Sequence, residues 1–273
     1  MKVFVLGGQG MAGHVIVDYM KRCGYEVLYS VRNDDSEGIA LDVRNLESVN
    51  EILMKYKAEI VINATGLLNG NAESHVMEAI QVNSLLPHAL VKTVNKYGGK
   101  LIHISTDCVF SGRKGEYKEL DPKDGLNVYS KTKSLGEIDE FPHLTIRTSI
   151  IGPEIKKNGI GLLHWFIQQT GRIEGYQNAY WNGVTTLELA KAIQDFIIQN
   201  ISGIYHLCVD QKISKYDLLH LFKEVFHKNE VEITPVQEPI IDKTLIHTRD
   251  DYKYPVKPYR EMIIELYEWM ERK

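Results

Sequence analysis

The stretch GGQGMAG, Gly7 to Gly13, limits what this chain can fold into more than any other part of it. It follows Val3-Phe4-Val5-Leu6, a run apolar at every position, which reads as a short strand buried on both faces. Gly8-Gln9-Gly10-Met11-Ala12-Gly13 fits G-x-G-x-x-G. Gly7, Gly10 and Gly13 also fit G-x-x-G-x-x-G. In either register the glycines allow a tight turn, let backbone approach a pyrophosphate and let the next helix pack on the strand. The N-terminus of that helix offers free N–H groups and partial positive charge to phosphate. The motif is weak alone. Here it has the context it needs, with a first strand before it and a helix after it.

The same rhythm continues. Further strands are expected at about Tyr25 to Val31, Glu59 to Asn63, Lys100 to Ile104 and Leu144 to Thr148. Asn45 starts a helix that puts Leu46, Val49, Leu53 and Tyr56 at helical spacing. A long helical region is expected to run up to Tyr97. Short strands alternating with longer helices imply βαβ units and right-handed crossovers. The fold class is therefore α/β: a Rossmann-type doubly wound parallel sheet, with a smaller C-terminal substrate-binding lobe. The expected division is residues 1-152 for the dinucleotide-binding domain and 153-273 mainly for the lobe. One later strand, about 203-209, returns to the sheet. A capping box at Thr185-Thr186-Leu187-Glu188 opens one late helix, Ser214 a second and Pro258 a last.

Composition narrows the class. The 273 residues carry 32 basic and 36 acidic side chains, a net charge of −4, so no basic excess points to nucleic acid. The longest apolar runs are too short to cross a bilayer, and no charged-then-apolar leader precedes the first strand. Cys23, Cys108 and Cys208 are odd in number and far apart, which fits a reducing, cytoplasmic setting without disulfides or zinc spacing. No His, Asp or Glu cluster has ligand spacing, so no metal is expected. His103, His220 and His227 are read as structural.

The second strand bears on the dinucleotide. NAD sites usually place an acid at its end. This chain has Ser30 and Arg32 there, and Asp34 and Asp35 come too late. Arg32 suits a 2′-phosphate through charge-assisted contacts, so NADPH is favoured, with NADH the other cofactor the sequence admits.

NVYSKTK supplies the chemistry. VYSKTKSLGEIDEF is compatible with helix, so Tyr129 and Lys133 at i and i+4 share a face. A phenol has a pKa of about 10, and a cation one turn away lowers it. The tyrosine then serves as general acid to a ketone oxygen. Thr106, in STDCVF after the fourth strand, is placed to hold the same oxygen. Cys108 beside it is either a base or a small buried hydrophobe.

These residues together resemble an extended short-chain dehydrogenase/reductase, and more narrowly the dTDP-4-dehydrorhamnose reductase family. The resemblance rests on GGQGMAG, LDV at Leu41 to Val43, INAT at Ile62 to Thr65, Val82-Asn83, STDCVFSG, LNVYSKTKSLGE at Leu126 to Glu137, IRTS at Ile146 to Ser149, and GIYHL. It implies that Gly7, Gly10, Met11 and Ala12 cradle the pyrophosphate. By the same likeness Asp42 and Val43 border the adenine, and Ala64, Thr65 and Gly66 line the cofactor. Thr106, Tyr129 and Lys133 would form the catalytic set, with Lys133 also on the nicotinamide ribose. Thr106, Asp107 and Cys108 would face a nucleotide-diphosphate sugar whose nucleotide lies in the C-terminal lobe. The implied reaction is reduction of the 4-keto group of a nucleotide-linked 6-deoxyhexose, for cell-surface polysaccharide. A homodimer is left open.

The chain departs from the family pattern at Cys108, where an aromatic is usual, and at Ile150, where a Trp is usual. It departs again at YWNGVTTLE, in place of a Gly-x-Pro-Thr turn. A different 4-keto-6-deoxy sugar fits these changes. Similar 4,6-dehydratases carry Asp-Glu after the threonine. Asp107-Cys108 lacks the Glu, which argues against dehydration. GDP-fucose synthase, an epimerase–reductase, has a Cys at the place of Cys108 and needs a His, for which His164 is the nearest candidate. A third alternative is a non-catalytic NADP-binding regulatory subunit, like that of methionine adenosyltransferase.

Overall fold

The computed structural model describes residues 1–32, 37–156 and 159–272; Asp34 and Asp35 lie outside them. The first half of the chain runs β1 (Lys2–Leu6), α1 (Gly13–Arg22), β2 (Glu26–Val31), β3 (Ile39–Ala40), α2 (Leu46–Tyr56) and β4 (Ile60–Asn63). It continues through α3 (Asn69–Ser74), α4 (Val76–Ala79), α5 (Leu86–Val94), β5 (Lys100–Ile104), α6 (Val128–Leu135) and β6 (Leu144–Arg147). A seventh strand, Gly203–His206, pairs with β6. Every pairing in this sheet is parallel, in the order Gly203–His206, β6, β5, β4, β1, β2, β3. The chain thus winds outward from β1 in one direction and from β4 in the other. The crevice at that reversal is where such sheets bind ligands.

The expected strands all form, and β3 joins them. Only two residues long, it is too short to leave a periodic signal. Alternation sorts the buried side chains to the two faces. Val3, Val5, Ile62, Ile102 and Ile146 pack under α1 and the helix Thr186–Ile198, while Phe4, Leu6, Val61 and Leu101 pack under α2 and α5. Asn45 caps α2 by accepting from Ser48 N at 3.1 Å, and Thr185 caps Thr186–Ile198 by accepting from Glu188 N at 3.1 Å. Each such cap contributes about 1 kcal/mol.

The expected long helix before Tyr97 is instead broken into α3, α4, a wider π turn at Ile80–Leu85, and α5. Pro87 gives the reason. It has no N–H for the carbonyl of Asn83, so a regular α turn cannot close there. Helix α6 is also shorter than VYSKTKSLGEIDEF suggested, ending at Leu135 with Gly136 as its cap.

After β6 a second cluster gathers Phe166, Trp181, Leu218, Phe222, Ile263 and Trp269 around Val15 of α1. Trp181 is thus core, while Trp165 is exposed. Among the described residues no helix is long and apolar enough to cross a membrane.

Candidate active site

The carboxyl ends of β1, β2, β4, β5 and β6 open on one edge of the sheet. The glycine turn closes tightly there. Gly8 N donates to Ser30 O at 3.0 Å, Gly10 N to Gly7 O at 2.9 Å, and His14 N to Gly10 O at 3.1 Å. Gly7 has φ +81°, and a Cβ on Gly13 would stand 2.0 Å from Gly7 O, so only glycine fits either place. Ala12 precedes α1 with no side-chain cap, so the partial positive charge at this helix start is not met by a side chain of the cap residue.

Two hollows of about 400 Å³ each meet at this turn. Both are lined by Gln9, Gly10, Ala64, Thr65, Gly66 and Lys156. The outer one adds Gly7, Ser30, Arg32, Asp42 and Val43. The inner one adds Met11, Ala12, Thr106, Asp107, Cys108, Tyr129 and Lys133. Every residue expected at the site therefore lines one continuous cleft. Two of them are already engaged. Ser30 Oγ accepts from Gly7 N at 2.9 Å, so it braces the turn. Asp42 is held by Arg44, whose Nε and Nη2 lie 2.9 and 2.6 Å from its oxygens, and this ion pair keeps its carboxyl below the usual range.

Thr106 is extended and caps a short turn, accepting from Cys108 N at 3.1 Å and donating to Asp107 Oδ1 at 3.1 Å. Tyr129 and Lys133 are both buried on α6. The lysine does not lower the phenol as expected. Burial pushes Tyr129 well above the ordinary tyrosine value, the neighbouring Cys108 adds to this, and a hydrogen bond with Thr106 pulls back. Lys133 Nζ turns instead to β5, donating to Ile104 O at 2.7 Å and lying 3.3 Å from His103 Nε2. Burial brings it down to about 8, against a smaller upward pull from Glu137.

Glu137 fixes this helix. Its buried carboxylate accepts from Ser105 Oγ at 2.7 Å and from Arg147 Nε and Nη2 at 2.8 Å each, tying the end of α6 to β5 and β6. Asn83 ties it from the other side, bonding Leu67 N, Leu67 O and Thr132 Oγ1. Neither role has a local sequence signal, because each joins segments far apart in the chain.

Sequence reasoning also missed Lys243, which follows the strand Ile241–Asp242 and brings Nζ to 3.5 Å from Cys108 Sγ. Burial pushes the Cys108 thiol up to about 11, Asp107 adds to it, and Lys243 only partly offsets them. The thiol therefore stays largely protonated near neutral pH, which does not suit a base. His164 hydrogen-bonds Gln168 on the helix Leu162–Ile167 and is not among the described residues that line the cleft. Two of the three departures from pattern are one place in space, since Ile150 pairs with Val184 of YWNGVTTLE.

Comparison with known proteins agrees with this geometry. A family model described as the RmlD substrate binding domain matches residues 1–243. The dTDP-4-dehydrorhamnose reductase of Escherichia coli strain K12 is 28% identical over 240 residues, covering 84% of this chain and 79% of its own. The methionine adenosyltransferase 2 subunit beta of Danio rerio is 24% identical over 256 residues, 87% and 77% of the two chains. Among solved structures, the dTDP-4-dehydrorhamnose reductase of Bacillus anthracis in complex with NADP superposes with a TM-score of 0.85 at 18% identity, over 98% of this chain and 99% of that one. A match across most of the chain, on the fold and cleft just described, places this protein in the family defined by the RmlD substrate binding domain.

Proposed function

We propose that this chain reduces the 4-keto group of a nucleotide-linked 6-deoxyhexose with NADPH, in the making of polysaccharide. One observation carries the reading: Thr106, Tyr129 and Lys133 line a cleft continuous with the hollow behind the glycine turn. The uncapped start of α1, the closed turn and the basic Arg32 and Lys156 suit a phosphorylated dinucleotide, which when bound supplies the hydride. Thr106 and Tyr129 hold the ketone oxygen. The phenol, kept protonated by burial, gives its proton to that oxygen as charge develops. Lys133 then returns a proton to the phenolate. The residues after 152 form the face that takes the sugar nucleotide. The test is oxidation of NADPH, followed at the nicotinamide absorbance, across a panel of nucleotide 4-keto sugars. Tight NADPH binding with no turnover on any of them would overturn the reading in favour of a non-catalytic subunit; the Danio rerio relative is named as a subunit of methionine adenosyltransferase 2.

Arg32 is exposed and lines the outer hollow. Arg32→Gln is expected to raise KM for NADPH about tenfold, the loss of one charge-assisted contact of about 1.4 kcal/mol, and to leave NADH unchanged. An equal loss with both cofactors would remove the 2′-phosphate role.

Cys108→Ala is expected to keep kcat/KM within a few-fold, with no solvent deuterium at the carbons beside the ketone in either protein. Deuterium uptake that disappears in Cys108→Ala would revive the epimerase–reductase alternative.

A further inference from the structure

His103 and Asn63 are register partners on β5 and β4, and both are fully buried. Their hydrogen bonds determine where the imidazole proton sits. Thr65 N, which can only donate, lies 3.1 Å from Asn63 Oδ1, and Thr65 Oγ1 donates to the same oxygen at 2.6 Å. The other end of the amide, Nδ2, therefore faces His103 Nδ1, at 3.1 Å. An amide nitrogen donates, so Nδ1 must accept. A neutral imidazole that accepts at Nδ1 carries its proton on Nε2. That proton points at Lys133 Nζ, 3.3 Å away. An ammonium has no lone pair to receive it; a neutral amine does.

We propose that His103, held by Asn63, is a positioning residue that sets the protonation of the catalytic lysine by directing an N–H at the lone pair of its neutral amine. Surrounding charges agree. Burial is the largest cause that holds His103 well below the usual histidine range; His88 on α5, and Lys133 whenever it is an ammonium, add to it, so His103 stays neutral whichever form Lys133 takes. Glu137 opposes the effect on Lys133, but its carboxylate is shared with Arg147 and Lys123. Burial, partly opposed by Glu137, brings Lys133 down to about 8, and a donor to the amine lowers it further. Both forms are then populated near neutrality, which suits a group that passes a proton to Tyr129 and takes one back. This kinetic consequence rests on the reductase reading; the tautomer itself does not.

The experiment is nitrogen-15 NMR of the histidines and of lysine side chains in the full chain without cofactor, with the His103 signals assigned by their loss in His103→Gln. Wild type is expected to show the Nε2–H tautomer. Asn63→Asp keeps an acceptor for Thr65 but turns the second atom into an acceptor too. It should switch His103 to Nδ1–H, leave Nε2 to accept, and raise the Lys133 titration by about one unit, a tenfold change in the ammonium-to-amine ratio. His103→Leu, which removes the donor, should also raise it. His103→Gln can accept from Asn63 and donate to Lys133, and should leave it near wild type. The alkaline limb of kcat should move with the titration. A wild-type Nδ1–H tautomer, or an unmoved Lys133 in both Asn63→Asp and His103→Leu, would overturn the proposal. A wild type that shows the tautomer but turns over no ketosugar would sink the reductase reading instead.

Discussion

Tyr129→Phe is expected to lower kcat by about 10²–10⁴ while NADPH still binds. The variant loses one oxygen from a buried ring and keeps the packing. The stability cost is that of one hydrogen bond, about 1 kcal/mol. What disappears is the ring hydroxyl placed beside Thr106 with its proton secured. Because burial holds Tyr129 far above its ordinary value, the phenol stays protonated through the working pH range. The alkaline limb of kcat therefore reports Lys133. Its ammonium returns the proton and exists below its own titration, so activity falls as pH rises through about 8 or a little lower. Single-turnover absorbance separates the chemical step from binding, and a calorimetric titration with NADPH checks that the site is intact. A phenylalanine variant that keeps more than about a tenth of wild-type kcat would show that another group, or water, protonates the ketone oxygen.

What the sequence disclosed and what it hid follow from range. The glycine turn, the apolar strands and Tyr129 with Lys133 are local patterns, and each was readable because its physics acts within a few residues. Cofactor-side residues such as Ala64 and Thr65 were reached only through family likeness. The interactions that orient Lys133 were not reachable at all. His103 looked like a strand histidine with a structural role, and its partner Asn63 is 40 residues away, joined by sheet register. Lys243 meets Cys108 across 135 residues. One local inference also failed for a physical reason. Spacing of i and i+4 puts Tyr129 and Lys133 on one face, but does not say where a long lysine chain ends. It ends on Ile104 O, and burial rather than the cation governs the phenol.

Gly136→Ala should be nearly as damaging as loss of the tyrosine, although position 136 touches no reacting group. A Cβ there would lie 1.9 Å from the carbonyl oxygen of Asn83 and 3.2 Å from Pro87 Cγ. The oxygen belongs to the π turn that Pro87 imposes, and the turn cannot retreat freely, because the Asn83 side chain is bonded to Leu67 and Thr132. Helix α6 cannot retreat freely either, since Glu137 binds Ser105 and Arg147 one residue further on. Relief requires one of these buried networks to give way. The expected cost is about 3 kcal/mol, at the upper end for overpacking, seen as a melting temperature lower by roughly 6–12 °C. A shift of α6 by about 1 Å would also displace Tyr129 and Lys133 together and lower kcat by about 100-fold. Gly70→Ala is the control, since nothing lies within 4 Å of a Cβ there, and it should melt within a degree or two of wild type. If Gly136→Ala melts and turns over like Gly70→Ala, the helix that carries the catalytic pair slides without cost, and the clamp built from Asn83 and Glu137 does not position it.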